Sequence, residues 1–165
     1  MNFSFSEDQA VIRRVDEARQ RLKEARVLVG LPETASARNR WLLALHERGA
    51  PGAHIPPRPV VAPALTREST RQAMAAGLAA ACAAAADGDL SGVEAGFARA
   101  GQAGVDGIHA YIDAGVSPAN APLTIHGGWI RNFSSGRPVR VEGKGFDLPL
   151  VDTGELYDAF DFEVK

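Results

Sequence analysis

A chain of 165 residues that is 45% hydrophobic and 23% charged can bury one real core, which excludes disorder of the whole chain. Its formal net charge of −2 gives no overall attraction to nucleic acid or an anionic membrane, and its one cysteine, Cys82, excludes an internal disulfide. The N-terminal MNFSFSEDQAVIRR has no basic segment leading into an apolar one, and no apolar run is long enough to span a bilayer. The expectation is a protein made in a reducing cytoplasm and folded as a single domain over residues 1–165.

Residues 6–25 read as an amphipathic helix. Ser6 and Gln9 have the spacing of a capping box, and Val11, Val15, Ala18, Leu22 and Ala25 draw one apolar stripe. Arg26–Gly30 is a short β-type run ended by glycine. Residues 31–40 are polar, contain Pro32 and read as loop. Trp41–Glu47 (WLLALHE) is too short for periodicity to choose between strand and helix. Residues 49–63 carry five prolines and are expected to take an extended or edge path.

A helical hairpin is expected next. Its first helix spans about Ala64–Ala86, with Pro63 in a first-turn position. Cys82 lies in its alanine-rich run and is expected to be a small buried side chain. Asp87-Gly88-Asp89 breaks the chain, with Gly88 suited to a left-handed cap. Ser91 and Glu94 form a second capping-box signature, and the second helix continues to about Ala114. Five glycines punctuate it: Gly92, Gly96, Gly101, Gly104 and Gly107. Each costs up to about 1 kcal/mol of helix propensity, so their presence predicts close backbone approach between the two helices.

Residues 116–149 read as a hairpin or arm, with Trp129–Phe133 and Val139–Glu142 as its strands and Ser134-Ser135-Gly136 as its turn. Asp152 and Glu155 form a third capping-box signature, predicting a one- or two-turn helix. Phe160, Phe162 and Val164 alternate with Asp161, Glu163 and Lys165, the pattern of a half-buried strand. Such a strand is often an edge that a neighbour can complete.

Residues that carry chemistry are sparse. His46, Glu47 and His54 are the most plausible set for a metal-dependent hydrolase, but neighbouring residues face different ways and no H-E-x-x-H or cysteine pair is present. There is no G-x-S-x-G elbow, and Gly127-Gly128 and Gly143-Lys144-Gly145 lack phosphate-loop spacing. Trp129, Arg131, Phe133, Arg137 and Arg140 combine aromatics with cations, as a nucleic-acid-binding module would. The competing expectation is that the aromatics pack under the arm or against another subunit.

Two segments bear a resemblance. His46-Glu47-Arg48-Gly49, followed by Ile55-Pro56-Pro57-Arg58-Pro59-Val60 and Pro63-Ala64, resembles a segment of tail-completion and virion-morphogenesis proteins of tailed phages. Pro149-Leu150-Val151-Asp152-Thr153-Gly154-Glu155-Leu156 is similar to a second segment of those proteins, and Asn120–Ile125 with Gly127-Gly128-Trp129 also fits. The family includes lambda minor tail protein Z-like and Mu virion morphogenesis protein G-like members. Here Arg48 and Val60 replace the family's phenylalanines, and the motif order is permuted.

The resemblance implies an α+β fold, with long helices (the N-terminal helix and the central hairpin) packed on a small antiparallel sheet. It implies a structural virion protein: a homo-oligomeric, sixfold ring at the head–tail junction of the neck or upper tail. With no co-located catalytic set and no cofactor loop in the sequence, the expectation is that the chain is not an enzyme and takes no cofactor. Its partners would be further copies and the neighbouring head–tail connector, tail terminator or tail-tube proteins, with no membrane. Genomic DNA passing through would be met without sequence specificity, and assembly would take place in the host cytoplasm. In that role Arg58 would offer a bidentate donor to a neighbour's carboxylate, beside the rigid Pro59. Trp129, Arg131 and Phe133 of the arm, the Asp152-Thr153-Gly154 turn, and Phe160 and Phe162 of the terminal strand are the other candidate subunit contacts. Deleting residues 160–165 is expected to impair assembly more than folding.

Overall fold

A computed structural model describes residues 5–132 and 134–165. The expected cap at Ser6 falls among side chains outside that description, as does Phe133. Helix α1 spans Phe5–Glu24. Its apolar stripe docks within the chain through its C-terminal half, with Ala18 fully buried and Leu22 packed beside it, while Val11 stays 55% exposed.

Strand β1 (Val27–Gly30) pairs antiparallel with the last strand, β4 (Asp161–Val164), in the register Val27↔Val164 and Val29↔Phe162. These four residues share one face of the two-stranded sheet, and that face lies on the helices. The α+β class holds: long helices pack on a small antiparallel sheet, and a second two-stranded sheet forms the arm.

Helix α2 covers Ala37–Arg48, which makes Trp41–Glu47 helical and corrects the loop expected up to residue 40. Ser36 caps it by accepting from the Asn39 amide at 3.0 Å. The proline-rich stretch is not wholly extended either. It makes a 3-10 turn at Pro51–Ala53 and an Ala50↔Ile55 bridge, then enters helix α3 at Val61. The first hairpin helix is in fact two, α3 (Val61–Thr66) and α4 (Glu68–Ala86), separated by an extended Arg67. The Thr66 hydroxyl donates back to the Ala62 and Pro63 carbonyls, a bond that bends helix ends, and the Arg67 guanidinium lies 4.8 Å from the Tyr111 ring centre.

Helix α5 (Leu90–Asp113) is the spine. Asp89, not Ser91, is its N-cap residue, and Ser91 donates to the Asp89 carboxylate while Glu94 pairs with Arg21 of α1 instead of closing a box. The glycines do allow close approach. A β-carbon on Gly96 would lie 2.6 Å from the Ala81 amide nitrogen, and one on Gly77 2.6 Å from that of Ala100. Two of the α5 glycines serve another neighbour: Gly101 admits the Phe162 ring and Gly104 admits Val29, so the sheet also seats on bare backbone.

Two apolar clusters lie along α5. One gathers Ala18, Ala81, Ala85, Val93 and Phe97. The other gathers Val60, Ala64, Val105, Ile108, Ile112, Val116, Leu156 and Phe160. Cys82 is exposed, contrary to expectation, because Ala81 and Ala85 occupy the inward face of α4. Phe160 is 5% exposed, so the residue that begins the terminal segment is core. That reverses the expectation for removing residues 160–165. No helix among the described residues is long and apolar enough to cross a membrane.

Candidate functional site

Arg38, Leu42 and His46 recur every fourth residue and so form one stripe of α2. Opposite them stand helix α6 (Pro122–His126), the arm strands β2 (Gly128–Arg131) and β3 (Pro138–Val141), and the 150–156 turn. Together they enclose a groove of 470 Å³. Leu42, Leu123, Ile130, Val141, Leu150 and Leu156 supply its apolar lining, and Arg38, His46, Glu142, Lys144, Asp152 and Glu155 its polar groups.

Remote hydrogen bonds hold these walls in place. The Glu47 carboxylate accepts from the Val60 and Val61 amides at 2.8 and 3.0 Å, satisfying the first donors of α3. Arg58 is 7% exposed, and its guanidinium donates to the Pro118 carbonyl at 2.7 Å and the Ala119 carbonyl at 2.9 Å. Arg58 is thus an internal clamp on the loop before α6 and is not available to a neighbour's carboxylate, which corrects its expected role. Asn120 donates to Asp147 through its backbone and side-chain nitrogens, both at 2.9 Å.

The Lys144 ammonium donates to the Leu148 and Val151 carbonyls, each at 2.6 Å, and fixes the turn that ends in the groove. Burial pushes Lys144 below its usual value, opposed by Asp152 and Asp147. Burial, then the charges of Arg58 and Lys144, lower His46, whose Nδ1 is buried without a hydrogen-bond partner among the described residues. His46 is therefore held toward its neutral form.

The expected helix after Asp152 is only a succession of turns. Glu155 does not close a capping box: its amide reaches the Thr153 hydroxyl and its carboxylate lies 3.9 Å from Arg38. This turn is tied down elsewhere. Asn39 donates to the Glu155 carbonyl at 3.2 Å, and Tyr157 stacks on His109 at 4.1 Å between ring centres.

The arm forms as expected, with Trp129 opposite Arg140 and Ile130 opposite Val139. At its root, Gly127 has a φ of +69° and its α-carbon faces the Val141 carbonyl and Gly143 amide, where a side chain has no room. Trp129 is 70% exposed, so it does not pack under the arm. Arg131, Arg137 and Arg140 are exposed and make no ion pair among the described residues.

Of the sequence candidates, Asp152, Thr153 and Gly154 line the groove, with Trp129 and Arg131 on the arm beside it. Pro59 is exposed at the surface. Phe160 lies in the core, and Phe162 is half-buried on α5. His46, Glu47 and His54 do not form a set: Glu47 is committed to α3, and His54 caps an exposed 3-10 turn. Among the described residues no three His, Cys, Asp or Glu side chains gather as a metal site requires. Lys144, Arg38 and Asn120 were missed from the sequence, because their partners lie in other segments or are backbone carbonyls. No protein-family model matches the chain, and neither a curated protein nor a solved structure matches it.

Proposed function

We propose that this chain is a structural subunit of a tailed-phage virion, a homo-oligomeric ring component of the neck or upper tail that joins tail to head, and that it has no catalytic role. The main support is convergence. The segments that carry the resemblance, His46–Ala64, Asn120–Trp129 and Pro149–Leu156, are far apart in the sequence yet line or brace one groove. Among the described residues, the arm next to it presents an exposed aromatic and three guanidiniums with no ion pair, and β1 and β4 each keep one unpaired edge. These are surfaces a neighbouring subunit can complete. Mass spectrometry and imaging of particles purified from a host that carries the coding sequence test the reading. The chain should be a multicopy component located at the head–tail junction, and its absence from intact particles refutes the assignment.

The exposed arginines of the arm, with Arg131 and Arg140 on the Trp129 face, favour one second reading, a nucleic-acid-binding module. It requires salt-sensitive DNA binding at micromolar protein that Arg131→Ala weakens. No binding at low salt removes it.

A further inference from the structure

We infer that the arm of one copy docks in the groove of the next, with Trp129 as the knob and the groove between α2 and the 150–156 turn as the hole. This rests on the ring reading and names the surfaces that build the ring. In the arm register, Trp129 lies opposite Arg140 and Arg131 opposite Pro138. Side chains alternate faces along a strand, so these four share one face. Ile130 and Val141 are on the other face and line the chain's own groove, which turns the Trp129 face away from it.

The two surfaces are complementary. The Trp129 face of the arm carries Arg131 and Arg140, whereas the groove is lined by the carboxylates of Glu142, Asp152 and Glu155. The cations of the groove are already engaged: Lys144 with two carbonyls, and Arg38 beside Glu155. Asp152 on the groove wall makes no hydrogen bond or ion pair among the described residues, so it is open to a guanidinium. A 470 Å³ groove with leucines on its walls is roomy for an indole, since such volumes hold far larger ligands.

The partner is a protein surface and not a polyphosphate. Glu142 lies with Trp129 and Arg140 around the hollow at the root of the arm, so that surface carries both signs of charge and suits the mixed lining of the groove, Arg38 and Lys144 beside Asp152 and Glu155, better than a uniformly anionic backbone. One chain carries both halves of the contact on different faces. Copies therefore add head to tail, and such contacts close into a ring when the rotation permits.

The test uses the full chain with Trp41→Phe, so that Trp129 is the only tryptophan, from micromolar to millimolar concentration. Sedimentation velocity should show self-association, with a blue shift of Trp129 emission that follows it. Trp129→Ala, in the native chain, should weaken association roughly tenfold or more, as truncating a buried interface aromatic does. Arg131→Asp and Asp152→Arg should each weaken it, and the two combined in one chain should restore it. Thermal unfolding of the Trp129→Ala and Arg131→Asp variants as monomers should match the parent, because both side chains are exposed, whereas Asp152→Arg should lower it by removing the charge that supports Lys144, and the regain of association in the double variant separates the contact from that loss. Association that is indifferent to Trp129→Ala and Asp152→Arg overturns the docking while particle content still decides the ring. A chain that stays monomeric throughout, with no emission shift, also overturns it. DNA binding lost in Arg131→Asp without self-association overturns it in favour of nucleic acid.

Discussion

Between α4 and α5 the closest approaches are made by bare backbone. Gly96 lies on the Ala81 backbone and Gly77 on that of Ala100. Around the groove the opposite holds: long polar side chains cross between segments and end on backbone atoms, Arg58 on Pro118 and Ala119, Glu47 on Val60 and Val61, Lys144 on Leu148 and Val151. The first region depends on shape, so any added atom harms it. The second depends on donors and acceptors, so any removed atom harms it. A rigid body formed by backbone contact thus carries a groove whose walls are hung by individual hydrogen bonds.

The largest expected effect comes from removing residues 160–165. This takes away β4 and Phe160 from the body, and the truncated chain should show no cooperative thermal transition by circular dichroism. Phe160→Ala alone should cost about 4 kcal/mol in urea unfolding. Retained cooperativity in the truncated chain would return the terminal strand to the role of a contact surface. Next, Gly96→Ala should destabilise by about 3 kcal/mol although alanine is the better helix former, because the new methyl meets Ala81. Gly52→Ala, with open space around it, should stay within about 0.5 kcal/mol. If the two behave alike, the distinction between the regions fails.

Arg58→Ala should cost about 2 kcal/mol by leaving two carbonyls without their donor. Its signature is local: amide exchange at Ala119 and Asn120 should speed up more than exchange in α5. Arg58→Lys should fall between, since one ammonium replaces the two-pronged contact. The smallest effect is that of His46. Its folded value is lowered below 6.5, so the unfolded chain binds more protons as pH falls. Stability is full above pH 6.5 and declines below it until the folded value is reached, at no more than about 1.4 kcal/mol per pH unit for one proton. His46→Gln should flatten that decline in urea midpoints measured between pH 7.5 and 5.5 (roughly one unit either side of the free imidazole).

Periodic signals were legible. The α1 stripe, β1, the arm hairpin, the glycine-marked helix and the alternating terminal strand all follow from spacings within one element. Signals that come from another element were not. Helix α3 is capped by Glu47, thirteen residues before Val60, and no local reading of a proline-rich run contains that carboxylate. Asp152-Thr153-Gly154-Glu155 has the letters of a capping box, yet Asn39 and Lys144 take the backbone carbonyls of that turn. Serine at position 36 before a new helix was readable, but the polar residues around it masked the cap. The groove followed the same rule. Asp152, Thr153 and Gly154 were legible through a motif, whereas Arg38 and Lys144 join them only once the chain is folded.

The glycines of α5 also bear on the order of folding. Five of them in one helix weaken its intrinsic helicity by about 4–5 kcal/mol relative to alanine. The alanine-rich α4 carries a single glycine, Gly77, and no such burden. As isolated peptides, 68–86 would populate helix and 90–113 would remain coil. The central hairpin is therefore a template and its copy: α4 can form early by itself, and α5 winds only against a partner already in place.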